Sequence, residues 1–488
     1  MNILLIYPDF PDTFWSFKFA LKFIHKQATS PPIGLLTVAA LLPNEWSKRL
    51  VDMTFAELTD QDIAWADYAF VSAMLVQRGS AEQLIARCNA AGVKVVAGGP
   101  LFSSEPESFP TVDYLVLNEA EITLPLFLKD LEQGTLHRIY TTSEFADITQ
   151  TPIPLWELAD IQRYATLAIQ YSRGCPYDCD FCNVTVLFGT RPRVKTSGQI
   201  IQELDLIYKM GWRGAVLFVD DNMIGNRKLL KNDLLPALIE WRKGKRGITF
   251  NTSASINITD DEPLMNMMVN AGFDMLFIGI ETPNEESLAE ANKMNNTNRD
   301  LVADVKRIQR HGLQVEGGFI IGFDSDPPSI FQRQIDLIQK SGIVSAMVAI
   351  LQAPIGTQLY ERMRKENRLL GHSTGNSVDG TTNILTKMDS EVLNRGYKSL
   401  VEYLYTPKNY YARVHTLLIE LRPPKFTVRF DLTYVMAFFH TIYSLGIVGK
   451  ERTHYWKLLF WTLFRRPKVF PLAITLAVYG YHFRQVLK

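Results

Sequence analysis

Apolar and polar positions alternate in a repeating rhythm along the first three quarters of the chain. Short apolar runs, "NILLIY" from Asn2, "RLVDM" from Arg49, "DYAFVSAM" from Asp67, "VKVVAG" from Val93 and "VDYLVLN" from Val112, are separated by stretches such as "GLLTVAALLP" and "SAEQLIARCNAAG" with apolar positions at helical spacing. Strands alternating with helices predict an α/β fold, here a five-stranded, parallel, doubly wound (flavodoxin-like) domain over residues 1–140. A polar, proline-bearing stretch at 141–165 reads as a linker. The rhythm then resumes over 166–365 with six strands, "TLAIQYS", "AVLFVDD", "ITFNTSAS", "MLFIGIE", "VEGGFIIGF" and "SAMVAILQA", each followed by a helical pattern. Six consecutive units predict a partial (β/α)6 barrel with its site at the carboxyl ends of the strands. The remainder, 366–488, reads as helical.

That last region differs in charge. The chain as a whole balances 51 basic against 51 acidic residues, yet from Thr406 onward thirteen Lys and Arg face only Glu420, Asp431 and Glu451. Within it, the stretches "LTYVMAFFHTIYSLGIVG" (432–449) and "VFPLAITLAVYGYHF" (469–483) contain no Asp, Glu, Lys or Arg. A spanning helix wants about 20 apolar residues, and these runs are shorter and interrupted by His440 and Pro471. They fit interfacial helices, with Arg465, Arg466 and Lys468 facing anionic lipid; a buried helical cap and a true span are the alternatives. The N-terminus lacks a basic segment and its apolar run stops at Pro8 and Asp9, which argues against a signal peptide. A cytoplasmic protein is expected, peripheral on the inner membrane face.

Three of the four cysteines lie in "YSRGCPYDCDFC", as Cys175, Cys179 and Cys182, on the loop after the first barrel strand. Clustered thiols in a long chain indicate metal or redox chemistry rather than a disulfide framework. Tetrahedral zinc wants a fourth ligand, and Cys88 sits in an amphipathic helix of another segment, where a small core residue is the simpler reading. A 4Fe-4S cluster held by three thiolates, with one iron open to a further ligand, suits the spacing better. Zinc completed by a distant histidine stays open. In the first domain the carboxyl ends of the strands carry Pro8, Ser72, Gly98, Gly99, Pro100, Asn118 and Glu119, where ligands of doubly wound sheets bind, although glycines there serve plain turns equally well.

The CxxxCxxC spacing with Phe181 before its last cysteine resembles the radical S-adenosylmethionine superfamily. The resemblance implies that the open iron binds the amino and carboxylate groups of S-adenosylmethionine and that cluster reduction releases a 5′-deoxyadenosyl radical. It implies S-adenosylmethionine contacts from Asp220 and Asp221 in "FVDDN" toward the methionine ammonium and from Glu281 in "GIET" toward the ribose. It also implies an adenine-side strand through Gly318, Ile320 and Gly322, with Ser325 where relatives carry an acid, and Ser255 or Asn257 where many carry an arginine. A strand-end acid taken alone is equally a helix cap.

A doubly wound domain before such a barrel resembles the cobalamin-binding class of that superfamily. The DxHxxG cobalt-ligating motif is absent, His25 has no such context, and Leu101 replaces the histidine of "GGPH" versions. Stretches including "PPIGLLTVAALLP", "GIETPNEESL" and "GGFIIGFDSDPPSIFQRQI" resemble the hopanoid C-2 methylase group and its relatives over residues 1–405. Membership implies three cofactors: the 4Fe-4S cluster, S-adenosylmethionine and cobalamin. One S-adenosylmethionine would methylate cobalt, a second would yield the radical, and a substrate radical would take the methyl group. The expected activity is methylation of an unactivated carbon of a lipid, a hopanoid being the first choice. Its rivals are a radical cyclase or oxidase acting on a lipid or tetrapyrrole, and a non-catalytic corrinoid carrier. Expected partners are the lipid, an electron donor such as ferredoxin or flavodoxin, and the membrane surface, but no nucleic acid.

Overall fold

A computed structural model describes residues 1–376, 378–423 and 432–487. Asp431, which bounds the first apolar stretch of the tail, lies outside the described residues. The first sheet comprises β1 (Asn2–Tyr7), β2 (Ser47–Asp52), β3 (Tyr68–Ser72), β4 (Lys94–Gly98), β5 (Tyr114–Val116) and the short β6 (Ile139–Tyr140). Its order is β2-β1-β3-β4-β5-β6 and every pairing is parallel. The five strands read from the sequence are joined by β6, whose two residues carry too little pattern to be seen. Both faces of the sheet are covered: Leu4, Ile6, Val71 and Val95 pack in one apolar cluster and Ile3, Leu5, Phe70 and Val96 in another. Strands buried on both sides read as continuous apolar runs, which is why they were legible.

The second sheet contains β7 (Leu167–Ile169), β10 (Ala215–Phe218), β11 (Thr249–Ala254), β12 (Phe273–Glu281), β13 (Gln314–Ile321) and β14 (Ala346–Ile350), all parallel and in the order β14-β13-β12-β11-β10-β7. A separate antiparallel pair, β8 (Ser172–Arg173) and β9 (Arg193–Val194), brackets the cysteine loop. β14 and β7 do not pair, so the barrel is open along one side. Register separates its two faces. Val216, Phe218, Phe250, Leu276, Phe319 and Val348 are buried beneath the helices. Their neighbours Leu217, Asn251, Ser253, Phe277, Ile320 and Met347 are only partly buried and form the lumen.

An aromatic strap from the first segment closes the open side. Trp15 meets β12 and β14, its ring edge-on to Phe277 at 5.5 Å and its Nε1 donating to Met347 Sδ at 3.0 Å. Farther along, Gln27 N–H donates to Arg163 O and Thr166 N–H to Thr29 O, next to β7. The strap is held from behind by the helix Phe470–Val486: Phe14 stacks on Phe483 at 4.2 Å, and His482 Nε2 lies 3.1 Å from Phe14 O. Phe17, at φ 47°, and His25, at φ 53°, turn the chain in the left-handed region that bulky residues avoid. Five helices, Ser390–Tyr405, Pro407–Glu420, Leu432–Thr441, Arg452–Arg465 and Phe470–Val486, complete the fold. Among the described residues no helix is long and apolar enough to cross a membrane.

Candidate active site

The cysteine loop starts at a glycine that nothing else can replace. Gly174 has φ 91°, and a Cβ there would lie 3.0 Å from each of three carbonyl oxygens, those of Phe188, Gly189 and Arg191. Its amide donates to Asp221 Oδ2 at 2.9 Å, and Asp220 accepts from the Ser172 amide and hydroxyl and from the Tyr171 amide at 3.3 Å. Burial pushes the Asp220 carboxyl up to about 7 against the pull of those donors. The "DD" pair at the end of β10 therefore accepts hydrogen bonds from the backbone that leads into the loop, Asp220 through both oxygens and Asp221 through Oδ2. The far side of the loop is pinned by Asp180, whose amide donates to Ala291 O and whose carbonyl accepts from Leu359 N–H. Phe181 packs into an apolar patch with Phe323, Leu359 and Met363, so it anchors the loop.

Cys179 is buried, Cys175 and Cys182 are half-buried, and all three are free thiols. Burial pushes Cys182 up to about 12 and raises Cys179, each against the positive charge of Lys293. Lys293 is paired with Glu281 at 2.9 Å. Glu281 sits at a bulge at the end of β12 with φ 65°, and a Cβ on Gly279 would meet its carboxylate at 2.3 Å. Three thiolates in one poorly hydrated loop need more compensation than one lysine provides, and an iron-sulfur cluster is a group that supplies it. Among the described residues no three His, Cys, Asp or Glu side chains are arranged about a single ion. A cube in which each thiolate takes a different iron does not require such convergence, so the donor set fits the cluster better than zinc.

Beside Cys175 stands a buried amide that the sequence reading passed over. Asn222 Nδ2 lies 3.8 Å from Cys175 Sγ and 3.3 Å from Ser255 Oγ, while its Oδ1 has no hydrogen-bond partner. Ser255 donates onward to Asn257 Oδ1 at 2.8 Å, and Asn257 Nδ2 to the Tyr177 hydroxyl at 2.6 Å. A buried acceptor without a donor is costly, and it fits a site that receives a ligand's N–H there. In "GFDSDPPS" the acid that staples the strand end is Asp326, which accepts from Gly322 N–H at 2.8 Å and Phe323 N–H at 3.2 Å, while Ser325 only uses its backbone. Gly318 faces Phe277 across the lumen wall, and Gly322 turns at φ 94°.

The carboxyl ends of the first sheet are more fully used. Pro8 O accepts from Gln77 Nε2 at 2.6 Å; a Cβ on Gly98 would meet Val116 O at 2.6 Å, and one on Gly99, at φ 88°, would meet Ser72 Oγ at 2.5 Å. Those glycines make the turn before the helix Pro100–Ser104. Asn118 takes φ 64° and its amide donates to Ser103 Oγ. Both oxygens of Glu119 accept hydrogen bonds, from Arg173, Arg193 and the Ala146 amide. Glu121 binds Arg173 as well; burial raises its carboxyl, and the Arg173 guanidinium overcomes this to hold it below the usual range. This network clamps the first sheet to the base of the cysteine loop. Leu101 and Cys88 are core residues, and His25, Met74 and Asn118 are exposed.

The chain is 35% identical over 479 residues to the hopanoid C-2 methylase of Rhodopseudomonas palustris, covering 95% of this chain and 90% of that one. It is 38% identical over 493 residues to an uncharacterized methyltransferase of Synechocystis sp., covering 99% and 92%. The radical SAM superfamily model matches residues 169–338 and a domain of unknown function (DUF4070) matches 357–488. The chain belongs to the family of the hopanoid C-2 methylase and its relatives. It carries that family's radical S-adenosylmethionine domain and is an enzyme of methyl transfer. The fold agrees with that of the cobalamin-dependent S-adenosylmethionine radical enzyme OxsB with aqua-cobalamin bound (TM-score 0.62, 15% identity, 99% of this chain and 80% of that chain). It also agrees with the methyltransferase TsrM from Kitasatospora setae with cobalamin and a 4Fe-4S cluster bound (TM-score 0.59, 14% identity, 99% of each chain). The radical SAM match implies the 4Fe-4S cluster and S-adenosylmethionine as cofactors. Lys293 lies outside the stretches that carry the resemblance, while Asn222 ends "FVDDN" and Asp326 lies in "GGFIIGFDSDPPSIFQRQI" without either having been given a role.

Proposed function

We propose that this enzyme places a methyl group on an unactivated carbon of a polycyclic lipid of the hopanoid class. The observation that carries the reading is the lumen. Its wall is built from Leu217, Phe277, Ile320, Met347 and the strap's Trp15, with Asn251 and Ser253 as polar points. Ionisable side chains on that face are Glu316, buried toward the amino end of β13 and pushed up to about 7 by burial, with the Ser345 hydroxyl beside it, and the Glu281–Lys293 pair at the cluster end. The apolar wall between them suits a large apolar substrate. The 35% identical hopanoid C-2 methylase supports the lipid class.

When bound, the cofactors supply a carbon-centred radical and a transferable methyl group, which a saturated carbon requires because it has no acidic proton. Cys175, Cys179 and Cys182 would hold the cluster, and Lys293 balances their charge. Asn222 Oδ1 offers an acceptor to the ammonium of S-adenosylmethionine, a role the sequence reading gave to the "DD" pair, and Glu281 stands at the ribose side. The corrinoid would rest on the strand ends of the first sheet by backbone and apolar contact. Trp15, Phe277 and Met347 exclude water from the lumen, which protects a reactive radical from quenching.

Cells expressing the wild type or Cys179→Ala are fed methyl-deuterated methionine, and their lipid extracts are compared by mass spectrometry. A labelled methyl on a hopanoid, present with the wild type alone, is the expected result. Label on a tetrapyrrole or other non-lipid product, with unlabelled lipids, would overturn the lipid reading.

A further inference from the structure

The C-terminal helices have an outer face that a water-soluble surface would not carry. Their inner side is ordinary core: Tyr410, Leu417, Leu476 and Phe483 are fully buried. On the outer side, the helix Leu432–Thr441 and its continuation Ile442–Ile447 expose Met436, Phe439, Tyr443 and Ile447, three or four residues apart and thus on one stripe. The helix Arg452–Arg465 exposes Phe460, Leu463 and Phe464, Phe464 at 77%. Trp456 joins the two stripes, stacking on Phe460 at 5.6 Å and donating from Nε1 to Gly446 O at 3.0 Å. Ten of the 23 large apolar side chains exposed among the described residues fall between Ile419 and Phe464, so this is a patch and not scatter.

Charge around the patch selects its partner. Lys450, Arg452, Lys457, Arg465 and Lys468 are exposed and make no ion pair among the described residues. Two acids of the region, among the described residues, are withdrawn: Glu451 is buried against Arg484, and Glu420 is held by Lys306 and Arg310. We propose that this face docks on the surface of an anionic lipid bilayer, its aromatic stripes entering the headgroup boundary and its lysines and arginines meeting lipid phosphates. Tyrosine, tryptophan and phenylalanine beside basic residues are the composition of an interfacial helix, and no helix here is built to span. The dock adjoins the strap, since the His440 ring at the edge of the patch stacks on Phe23 at 4.4 Å. A bilayer-held substrate would therefore meet the closed side of the barrel first. The docking proposal itself is independent of the lipid-methylase reading, because binding is measured without turnover.

The test is vesicle co-sedimentation of the full-length, cofactor-loaded protein. Vesicles of phosphatidylcholine with and without phosphatidylglycerol are compared, and reductive cleavage of S-adenosylmethionine in solution serves as the check on folding. The wild type should bind the phosphatidylglycerol vesicles and release as salt rises. Phe439→Ser combined with Phe464→Ser should weaken that binding at least about tenfold with cleavage unchanged. Arg465→Glu and Lys468→Glu should each weaken it by about fivefold or more on phosphatidylglycerol only. A wild type that stays in the supernatant, or a double serine variant that binds like it, would overturn the proposal. So would a dimer in analytical ultracentrifugation that the serine variant dissolves without vesicle binding, which would assign the patch to a second copy of the chain.

Discussion

At the carboxyl ends of its strands the second sheet keeps chemistry in reserve, with three free thiols, a buried lysine and the unpartnered Asn222 Oδ1, while the corresponding ends of the first sheet have consumed theirs. Gly98 and Gly99 press against Val116 O and Ser72 Oγ, and Glu119 is divided between two arginines. Two parallel sheets of different topology, one doubly wound and one an open barrel in sequence order, thus serve two ways of holding a cofactor. The barrel binds through named side chains at single atoms. The doubly wound domain offers shape and backbone. Single substitutions should therefore abolish function at the barrel mouth, and at the first sheet they should act through stability and domain docking.

The largest expected effect is at Cys179. Cys179→Ala should remove the cluster's iron and all cleavage of S-adenosylmethionine while far-ultraviolet circular dichroism stays unchanged, because the thiol contributes a ligand and little core. Retained iron with retained cleavage would refute the three-thiolate site. Next is the clamp between the sheets. Arg173→Met removes the guanidinium from the buried Glu121 carboxylate and leaves Glu119 to Arg193 alone, for which a loss of about 3–5 kcal/mol is expected. Denaturant titration measures it, and cobalamin retention should fall with it, since the first sheet would no longer be seated over the barrel. An Arg173→Met variant of wild-type stability would mean the network is ornamental.

The strap can be probed by pH. Burial lowers His482 from its ordinary value to about 4, while the Phe14 carbonyl resists. The folded value lies below the unfolded one, about 6.5, so the unfolded chain binds more protons between them. The neutral histidine's contribution is complete above pH 6.5 and lost as pH falls toward 4. That loss is about 3 kcal/mol at one pKa unit per 1.36 kcal/mol. His482→Gln should flatten this part of the stability curve relative to wild type; an identical slope in the two proteins would assign it elsewhere.

The fold was legible wherever burial on both sides wrote unbroken apolar runs, as in "NILLIY" and "VKVVAG". The thiol loop was legible because its spacing is local. Contacts made across sequence distance were not. Lys293 meets Glu281 only because a bulge turns the end of β12, and Glu119 reads as a free strand-end acid until Arg173 and Arg193 are folded against it. The place of the strap is equally a matter of distant contacts, since it is set by Phe483, more than 460 residues downstream of Phe14.

The smallest effect sharpens the contrast most directly, because it asks whether the first sheet's glycines hold a ligand or a turn. Gly99→Ala puts a Cβ at φ 88° and 2.5 Å from Ser72 Oγ, which should cost about 1–3 kcal/mol in stability. If the turn alone needs the glycine, Ser72→Ala in the same chain removes the clashing oxygen and restores part of that loss; the next contacts, with Ala73 N and O at 3.4 Å, are tolerable. The double variant should then be more stable than Gly99→Ala and bind cobalamin in proportion to its folded fraction. Were the glycine instead a point of close approach for the corrinoid, the double variant would recover stability but not cobalamin affinity. Thermal unfolding and cobalamin titration on the same two proteins separate these outcomes, since strain acts on the apoprotein and ligand contact only on the complex.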